Sequence, residues 1–292
     1  MKPLVTIITV NYQQPIVTCE LLDSINQLSY PRLQTIVVDN GQKYDDTILY
    51  KHHLPSVRVI NSKENLGFAG ANNLGINKAK GDYVFLINND TVLEDGTIEK
   101  LLECLEDKSI GAVSPILRYF ENPDLVQYAG FTEINPLTGR NSMIKEIPGT
   151  RIADTSYFHG AAVMLPKRVI NECGLMPEDY FLYYEELHWS RIVRDHGYQL
   201  KVCTEVSVLH KESVTTGKDS PLKTYYQTRN RVVFMNQHAE PAQRLVFNLF
   251  FHGISLPAKI AKHAIKGRMA HISALLRGSY HASIQKKMGM SF

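Results

Sequence analysis

The sequence predicts an α/β fold in which a mainly parallel sheet is flanked by helices and followed by a helical, basic C-terminal tail. Three observations carry this. Short runs rich in Val and Ile alternate with helix-like stretches over the first 117 residues. Polar or Gly positions bound each run, so the runs read as buried strands rather than pieces of longer helices. Finally, residues 242–292 hold eight basic residues and no Asp or Glu, which leaves residues 1–241 at −5 within a net charge of +3. The two parts of the chain therefore meet different surroundings.

In chain order, the apolar runs at 4–10, 35–38, 57–60, 83–87 and 111–117 are predicted as strands, with helices over 17–27, 45–53, 71–80 and 96–107 between them. Strands separated by helices imply βαβ units and parallel pairing. From 118 to about 151 the chain turns irregular, punctuated by Pro123, Pro136, Gly139, Pro148 and Gly149. A strand at 161–165, a helix at 185–196 ended by Gly197, two short strands at 200–203 and 206–210, and a helix at 225–236 complete the main body. The expected division is one domain over 1–240, made of a nucleotide-binding half (1–117) and an acceptor-binding and catalytic half (118–240), followed by a tail over 241–292.

An apolar content of 44% with 21% charged residues is that of a folded globular chain. Cys19, Cys104, Cys173 and Cys203 lie far apart, which argues against a Cys-based zinc or redox motif and for buried thiols in a reducing cytosol. The run at 4–10 is short for a signal peptide and lacks a small-residue cleavage site after it, so it reads as the first strand.

The strand ends carry the functional signal. Strand one ends at Asn11-Tyr12, strand two at Asp39-Asn40-Gly41, strand three at Asn61, and strand four at Asn88-Asn89-Asp90-Thr91. In a parallel sheet these ends share one edge, where open α/β sheets bind ligands. Carboxamides and a carboxylate after strand four supply hard oxygens for a divalent cation holding a diphosphate. An Asx-rich turn with Asp90 capping the next helix accounts for that segment equally well on its own. Asp39 suits an acceptor for a pyrimidine imide or a ribose hydroxyl, and Tyr12 a stacking ring. The small-residue stretch Asn65-Leu66-Gly67-Phe68-Ala69-Gly70-Ala71-Asn72-Asn73 lets a ligand approach the backbone closely. It follows the third strand and lacks the GxGxxG spacing, which disfavours a nicotinamide oxidoreductase.

These residues, Ile7-Ile8-Thr9-Val10-Asn11-Tyr12, Val37-Val38-Asp39-Asn40, the Asn65 to Asn73 stretch and Leu86-Ile87-Asn88-Asn89-Asp90-Thr91, resemble in order and spacing the family 2 glycosyltransferases of GT-A fold. The bacterial rhamnosyltransferase-like branch is the best match. The resemblance continues through His159-Gly160-Ala161, Tyr180-Phe181-Leu182-Tyr183-Tyr184-Glu185-Glu186 and Tyr225-Tyr226 with Arg229-Asn230, covering about residues 3–236.

The resemblance implies an inverting, metal-dependent transferase. Asn11, Tyr12 and Asp39 would hold the nucleoside, with Gly67 and Asn73 bounding the stretch that lines base and ribose. Asn88, Asn89 and Asp90 occupy the DxD-type site, Asn88 standing where the first Asp is common, so Asp90 would bind Mg²⁺ or Mn²⁺ on the diphosphate. Glu185 and Glu186 stand where the family carries its Glu-Asp pair. Helix neighbours point about 100° apart, so one of the two faces the acceptor, by position Glu186 as general base with Glu185 in support. His188 replaces a common Asp. His210 matches a histidine that related enzymes place on metal or diphosphate, and Arg229 is positioned to meet phosphate or to fix a loop. The polar segment 211–217 reads as a loop that closes over the donor.

The implied partners are a dTDP- or UDP-linked sugar donor, most simply dTDP-rhamnose, and a bacterial surface-glycan or polyprenyl-diphosphate-linked acceptor at the inner face of the cytoplasmic membrane. A second reading is a catalytically silent nucleotide-sugar-binding subunit, motivated by Glu186 and His188. In the tail, Ile260, Ala264, Ile265, Met269, Ile272, Leu275 and Leu276 project to one side of a single helix and Lys259, Lys262, Lys266 and Arg277 to the other. This reads as a basic amphipathic helix for a membrane surface, with packing on the main body or on a second copy in a homodimer as the competing account. No nucleic-acid motif accompanies the positive charge.

Overall fold

The structure, a computed structural model, describes residues 1–41, 44–211 and 219–288, the last four of these by their backbone only. The chain divides into two compact units, Met1–Thr132, Met143–Pro177 and Glu186–Thr215 forming the first and Glu133–Ser142, Glu178–Glu185 and Thr216–Phe292 the second. Residues 133–142 and 178–185 thus group with the C-terminal helices rather than with the chain on either side of them.

The first unit is built on one sheet. It begins with β1 (Val5–Asn11), α1 (Pro15–Asn26), β2 (Leu33–Asn40), α2 (Thr47–His53), β3 (Arg58–Ser62), α3 (Gly67–Ile76) and β4 (Tyr83–Ile87). There follow β5 (Thr91–Val92), α4 (Thr97–Cys104), β6 (Ile110–Tyr119), β7 (Asn122–Tyr128), β8 (Ile152–Asp154), β9 (Ala162–Pro166), α5 (Lys167–Cys173), α6 (Glu185–Asp195) and β10 (Gln199–His210). The strand order is β3-β2-β1-β4-β9-β6-β10-β5, with β7 on β6 and β8 on β10. The α/β class is as the sequence predicts, a central sheet with helices on its faces.

Alternation within the strands explains the two helical layers. Val5, Ile7, Phe85 and Ile87 pack with Leu21, Leu22 and Leu101 of α1 and α4. Ile8, Val84 and Leu86 pack on the other side with Ala69 and Ile76 of α3, Ile170 of α5 and Trp189 of α6.

Several elements differ from expectation. Parallel pairing holds across β3-β2-β1-β4 and between β6 and β10. However, β9 lies antiparallel between β4 and β6, because the chain re-enters the sheet beside the end of β4, where Asn88 N–H donates to the Ala161 carbonyl at 2.9 Å. The two short strands expected at 200–203 and 206–210 are one strand, β10, with a bulge between Cys203 and Ser207. The segment expected to be irregular holds β7 and, at its end, begins β8. Helix α3 starts at Gly67 rather than Ala71, because Asn65 Oδ1 accepts from Gly67 N–H at 3.0 Å and turns the chain directly into a helix. The glycine-rich stretch is therefore the first two turns of a helix.

In the second unit, α7 (Pro221–His238) is capped by Ser220, whose side chain accepts from Lys223 N–H. It is followed by α8 (Pro241–Phe250), a π-helical turn (Phe251–Ser255), α9 (Leu256–Ile265) and α10 (Met269–Met288). The single amphipathic helix expected across 259–277 is broken at Gly267, whose φ of +66° ends α9 in the left-handed region. Leu275, expected on a membrane-facing side, is fully buried. Its helix, α10, packs on α7, with His271 Nδ1 2.9 Å from Thr224 Oγ1 and His281 Nδ1 2.6 Å from Tyr225 Oη. Among the described residues no helix is long and apolar enough to cross a membrane.

Candidate functional site

The parallel register of β1 and β2 sets Asn11 beside Asp39. Both side chains are buried, and Asn11 Nδ2 donates to Asp39 Oδ1 at 2.6 Å. Tyr50 of α2 donates to the same oxygen at 3.2 Å, while Asp39 Oδ2 is buried without a hydrogen-bond partner among the described residues. Burial pushes the Asp39 carboxyl up to about 6, opposed by the hydrogen bonds from Asn11 and Tyr50. The result is a strand-end carboxylate with one fixed oxygen and one available to accept a proton donor. Tyr12, next in the chain, is half-buried.

The other end of the Asn11 carboxamide serves the second cluster. Asn11 Oδ1 accepts from Thr18 Oγ1 at 3.1 Å and from Asn89 Nδ2 at 3.4 Å, and Asn89 Nδ2 also reaches Thr18 Oγ1 at 3.0 Å. Asn89 is thereby used to hold the turn after β4. Thr91 Oγ1 donates to the Asn88 carbonyl at 2.7 Å and tightens the same turn.

Asp90 follows, 6% exposed. Antiparallel pairing of β5 with the end of β10 sets Thr91 against His210 and so brings Asp90 and His210 together. Asp90 Oδ1 lies 3.2 Å from His210 Nε2 yet makes no hydrogen bond among the described residues. His210 Nδ1 is 2.7 Å from Gln127 Oε1, an acceptor that holds the ring by its Nδ1–H. In the neutral ring with its proton on Nδ1, the Nε2 lone pair faces a carboxylate oxygen of Asp90. A divalent cation satisfies both, and the Gln127 contact is the kind of outer hydrogen bond that fixes a metal-ligating imidazole. Asp90 and His210 fit a Mg²⁺ or Mn²⁺ ion. Among the described residues no group of three or more His, Cys, Asp or Glu converges, so an ion here would complete its shell with diphosphate oxygens and water.

His159 joins this cluster from the turn before β9. Its ring stacks on Phe131 at 5.7 Å and meets Tyr128 edge-on at 5.0 Å and His210 at 6.3 Å. Burial, aided by His210, lowers its pKa to about 3, and its Nδ1 accepts from Ala161 N–H at 3.0 Å. It is a neutral packing element. Next to it, a side chain at Gly160 would touch the Phe68 ring at 3.6 Å and Glu186 Cβ at 3.7 Å. Glu186, half-buried in the first turn of α6, thus stands across Gly160 from the start of α3. Asp90, His210, His159, Gly160 and Glu186 all belong to the first unit.

Two predicted ligand residues prove to be engaged with backbone. Asn73 is 4% exposed, with Nδ2 donating to the Met176 carbonyl at 2.8 Å and Oδ1 accepting from Met176 N–H at 3.0 Å. Both ends of its carboxamide tie α3 to the chain after α5, while Gly67, at the head of α3, donates its N–H to Asn65 and accepts from Asn40 Nδ2 at 3.1 Å. Arg229, 4% exposed in the second unit, donates to Asn230 Oδ1 at 2.6 Å and to the Asp179 carbonyl at 3.0 Å. Of the two roles expected for it, phosphate contact or loop fixation, these bonds perform the second. Asn230 Nδ2 reaches the carbonyls of Tyr180, Leu182 and Tyr183 at 3.1, 2.8 and 2.8 Å. That loop is strained, with Phe181, Tyr183 and Tyr184 at φ of +66°, +67° and +81°. It delivers the chain to Glu185, which is 2% exposed.

His188 is half-buried and held neutral, its pKa lowered to about 4 by desolvation. The segment 212–218 falls outside the described residues. Sequence reasoning missed Thr18, Tyr50 and Gln127, none of which stands in a recognisable motif.

The profile of glycosyl transferase family 2 matches residues 6–173 of the chain. The chain is 24% identical to the low-salt glycan biosynthesis hexosyltransferase Agl10 of Haloferax volcanii, over 79% of its own length and 75% of that protein. It is 23% identical to the dTDP-rhamnosyl transferase RfbF of Shigella flexneri, over 87% and 88% of the two chains. Among solved structures, the mannosyltransferase PcManGT of Pyrobaculum calidifontis, in complex with GDP-Man and Mn²⁺, superposes with a TM-score of 0.61 at 17% identity, covering 99% of this chain and 88% of that one.

Proposed function

The chain belongs to glycosyl transferase family 2 and is a glycosyltransferase, and on that premise we propose that it is an inverting, metal-dependent enzyme moving rhamnose from dTDP-rhamnose to a surface-glycan or lipid-linked acceptor. The observation that carries this reading is the grouping of Asp90, His210, Gly160 and Glu186 within one unit, at the edge where β1, β2 and β4 end. The donor class rests on the likeness to a dTDP-rhamnosyl transferase, and the metal on the facing acceptors of Asp90 and His210 together with the Mn²⁺ of the mannosyltransferase.

In this reading the free Oδ2 of Asp39 accepts the imide N–H of the thymine base, and Tyr12 covers its face. Asn88 and the turn held by Asn89 bound the diphosphate. When bound at Asp90 and His210, Mg²⁺ or Mn²⁺ supplies charge stabilisation to the leaving diphosphate. Glu186 takes the proton of the acceptor hydroxyl as it attacks the anomeric carbon from the face opposite the nucleotide. Glu185 shapes the head of α6. The enzyme works at the membrane surface on the cytoplasmic side, through the outward side of α8, the π-helical turn and α9, where Leu245, Val246, Leu249, Ile254 and Ile265 are each at least half exposed.

A thermal-shift panel of dTDP-, UDP- and GDP-linked sugars, with and without Mn²⁺, tests the proposal. Stabilisation by dTDP-rhamnose that requires Mn²⁺ is the expected result. Equal response to every nucleotide, or none in the presence of metal, overturns the donor assignment.

A further inference from the structure

The second unit holds a buried guanidinium, that of Arg231, whose Nη1 finds no hydrogen-bond partner among the described residues, and we propose that Arg231, Arg140 and Lys259 form a binding site for the phosphate of a membrane lipid. This rests on the membrane reading of α8 and α9 only for the source of the phosphate.

Arg231 projects from α7 and is 2% exposed. Its Nε donates to the Thr138 carbonyl at 2.6 Å, and its guanidinium lies over the rings of Phe247 and Phe251 at 5.7 and 5.1 Å. Nη1, however, is buried with no hydrogen-bond partner among the described residues. A buried charged donor left unbonded is costly, and in a native protein it points to an ion or ligand.

The surroundings add positive charge instead of neutralising it. Arg140 follows the tight turn in which Asn135 Oδ1 accepts from Leu137 and Thr138 N–H groups. Gly139, at φ +61°, lets this turn press onto α7 and α8, because a Cβ there would come within 2.8 Å of Met235 Cγ and Phe247 Cε2. Lys259, half-buried, lies on α9 of the same unit. Among the described residues, the charged or titratable groups acting on Arg231 are Arg140 and Tyr184, and those acting on Lys259 are Arg140 and Arg231, with no carboxylate among them. Burial first, and the neighbouring cations second, lower Arg231 to about 10 and Lys259 to about 8. Neither α7 nor any residue after 241 contributes an Asp or Glu.

Three donors of this kind around a fixed, aromatic-backed fork suit a phosphate better than a carboxylate-sized or neutral ligand, since the guanidinium offers paired N–H groups and Lys a point charge. The same unit presents exposed Leu245, Leu249 and Ile254. A phosphate carried on an acyl or prenyl chain matches both features, its head on the cations and its chain on the apolar side.

The test uses the full chain in EDTA, so that no metal-bound diphosphate forms at Asp90. Acylation of Lys259 by a limiting reagent is followed by peptide mass spectrometry, with inorganic pyrophosphate in one arm and phosphatidylcholine vesicles, with or without phosphatidic acid, in the other. Protection of Lys259 by both pyrophosphate and phosphatidic acid vesicles is expected, and Arg140→Gln is expected to weaken both by at least about fivefold. Arg140 is exposed, so this variant keeps the fold, and Lys259→Met, read by vesicle flotation, gives an independent check. Protection by pyrophosphate without any gain from phosphatidic acid overturns the lipid source and leaves a site for soluble phosphate. No protection by either, or protection unchanged in Arg140→Gln, overturns the site. Donor binding measured on the same variants with Mn²⁺ stays at the parent value, so loss of this site and loss of the transferase reading are told apart.

Discussion

Nε2 of His210 faces Asp90 Oδ1 at 3.2 Å while Nδ1 of the same ring is held by Gln127 Oε1 at 2.7 Å. In the proposed reading the outer contact orients the ring and the inner pair seats the cation. Gln127→Leu is accordingly expected to weaken Mn²⁺-dependent activity by about 10–100-fold while leaving metal-free nucleotide binding intact. Titration of Mn²⁺ against turnover checks this. An unchanged metal requirement would show that Gln127 does not orient the ligand.

Glu186→Gln is expected to lower kcat by about 10²–10⁴-fold with the donor Kd unchanged, because the amide keeps the shape of the side chain but accepts no proton. Single-turnover assays paired with calorimetry separate the two quantities. Near-normal turnover would remove Glu186 as the base.

The Asp39 carboxyl is raised to about 6 by burial, so its proton is held more tightly in the folded chain than in the unfolded one. Its contribution to stability is fully present below the unfolded value of about 4 and is lost as pH rises through about 6. Asp39→Asn is thus expected to raise Tm at about pH 8, a gain that shrinks toward about pH 4. Donor affinity, which needs the ionised oxygen as acceptor, falls in the parent below about pH 6 and is weak in the variant at every pH. A parent affinity flat across this range would count against Asp39 as the base-reading group.

Asn230→Ala removes the donor that reaches the Tyr180, Leu182 and Tyr183 carbonyls. A loss of about 2–4 kcal/mol is expected from denaturant melts, given the strained backbone it restrains. Turnover falls with little change in donor Kd, since the loop leads to Glu185 and Glu186 and not to the nucleotide. A stability unchanged within error would show that the loop holds itself.

Leu249→Asp is expected to reduce flotation with anionic vesicles by about tenfold or more. Point substitution is the right probe, because removing the tail would expose the face of α7 that covers the buried Leu275. Equal flotation would exclude α8 as the contact.

Much of this was legible in the chain. β1, β2 and β4 are runs of β-branched and apolar residues, and their polar ends at Asn11, Asp39 and Asn88 to Asp90 lie where the pattern predicts. The direction of β9 was not, because periodicity reports which residues are buried and carries no information on strand sense. β10 reads as two strands because polar Thr204 and Glu205 interrupt it, whereas in space they form a bulge. Helix α5 escaped notice because its seven residues begin immediately after a strand ending in Pro166. The partners of Asn73 and Arg229 were not legible either, since a hydrogen bond to the backbone of Met176 or Asp179 leaves no signature in one dimension.

The Asn11 carboxamide is shared, with its nitrogen on Asp39 and its oxygen on the Thr18 and Asn89 pair that fixes the turn leading to Asp90. In the proposed reading, the base-reading carboxylate and the turn that would hold the metal are therefore joined through one amide group. Altering Asp39 toward a different base is then expected to disturb the turn before Asp90, so donor exchange in this scaffold calls for paired changes, with position 11 or 18 adjusted alongside 39.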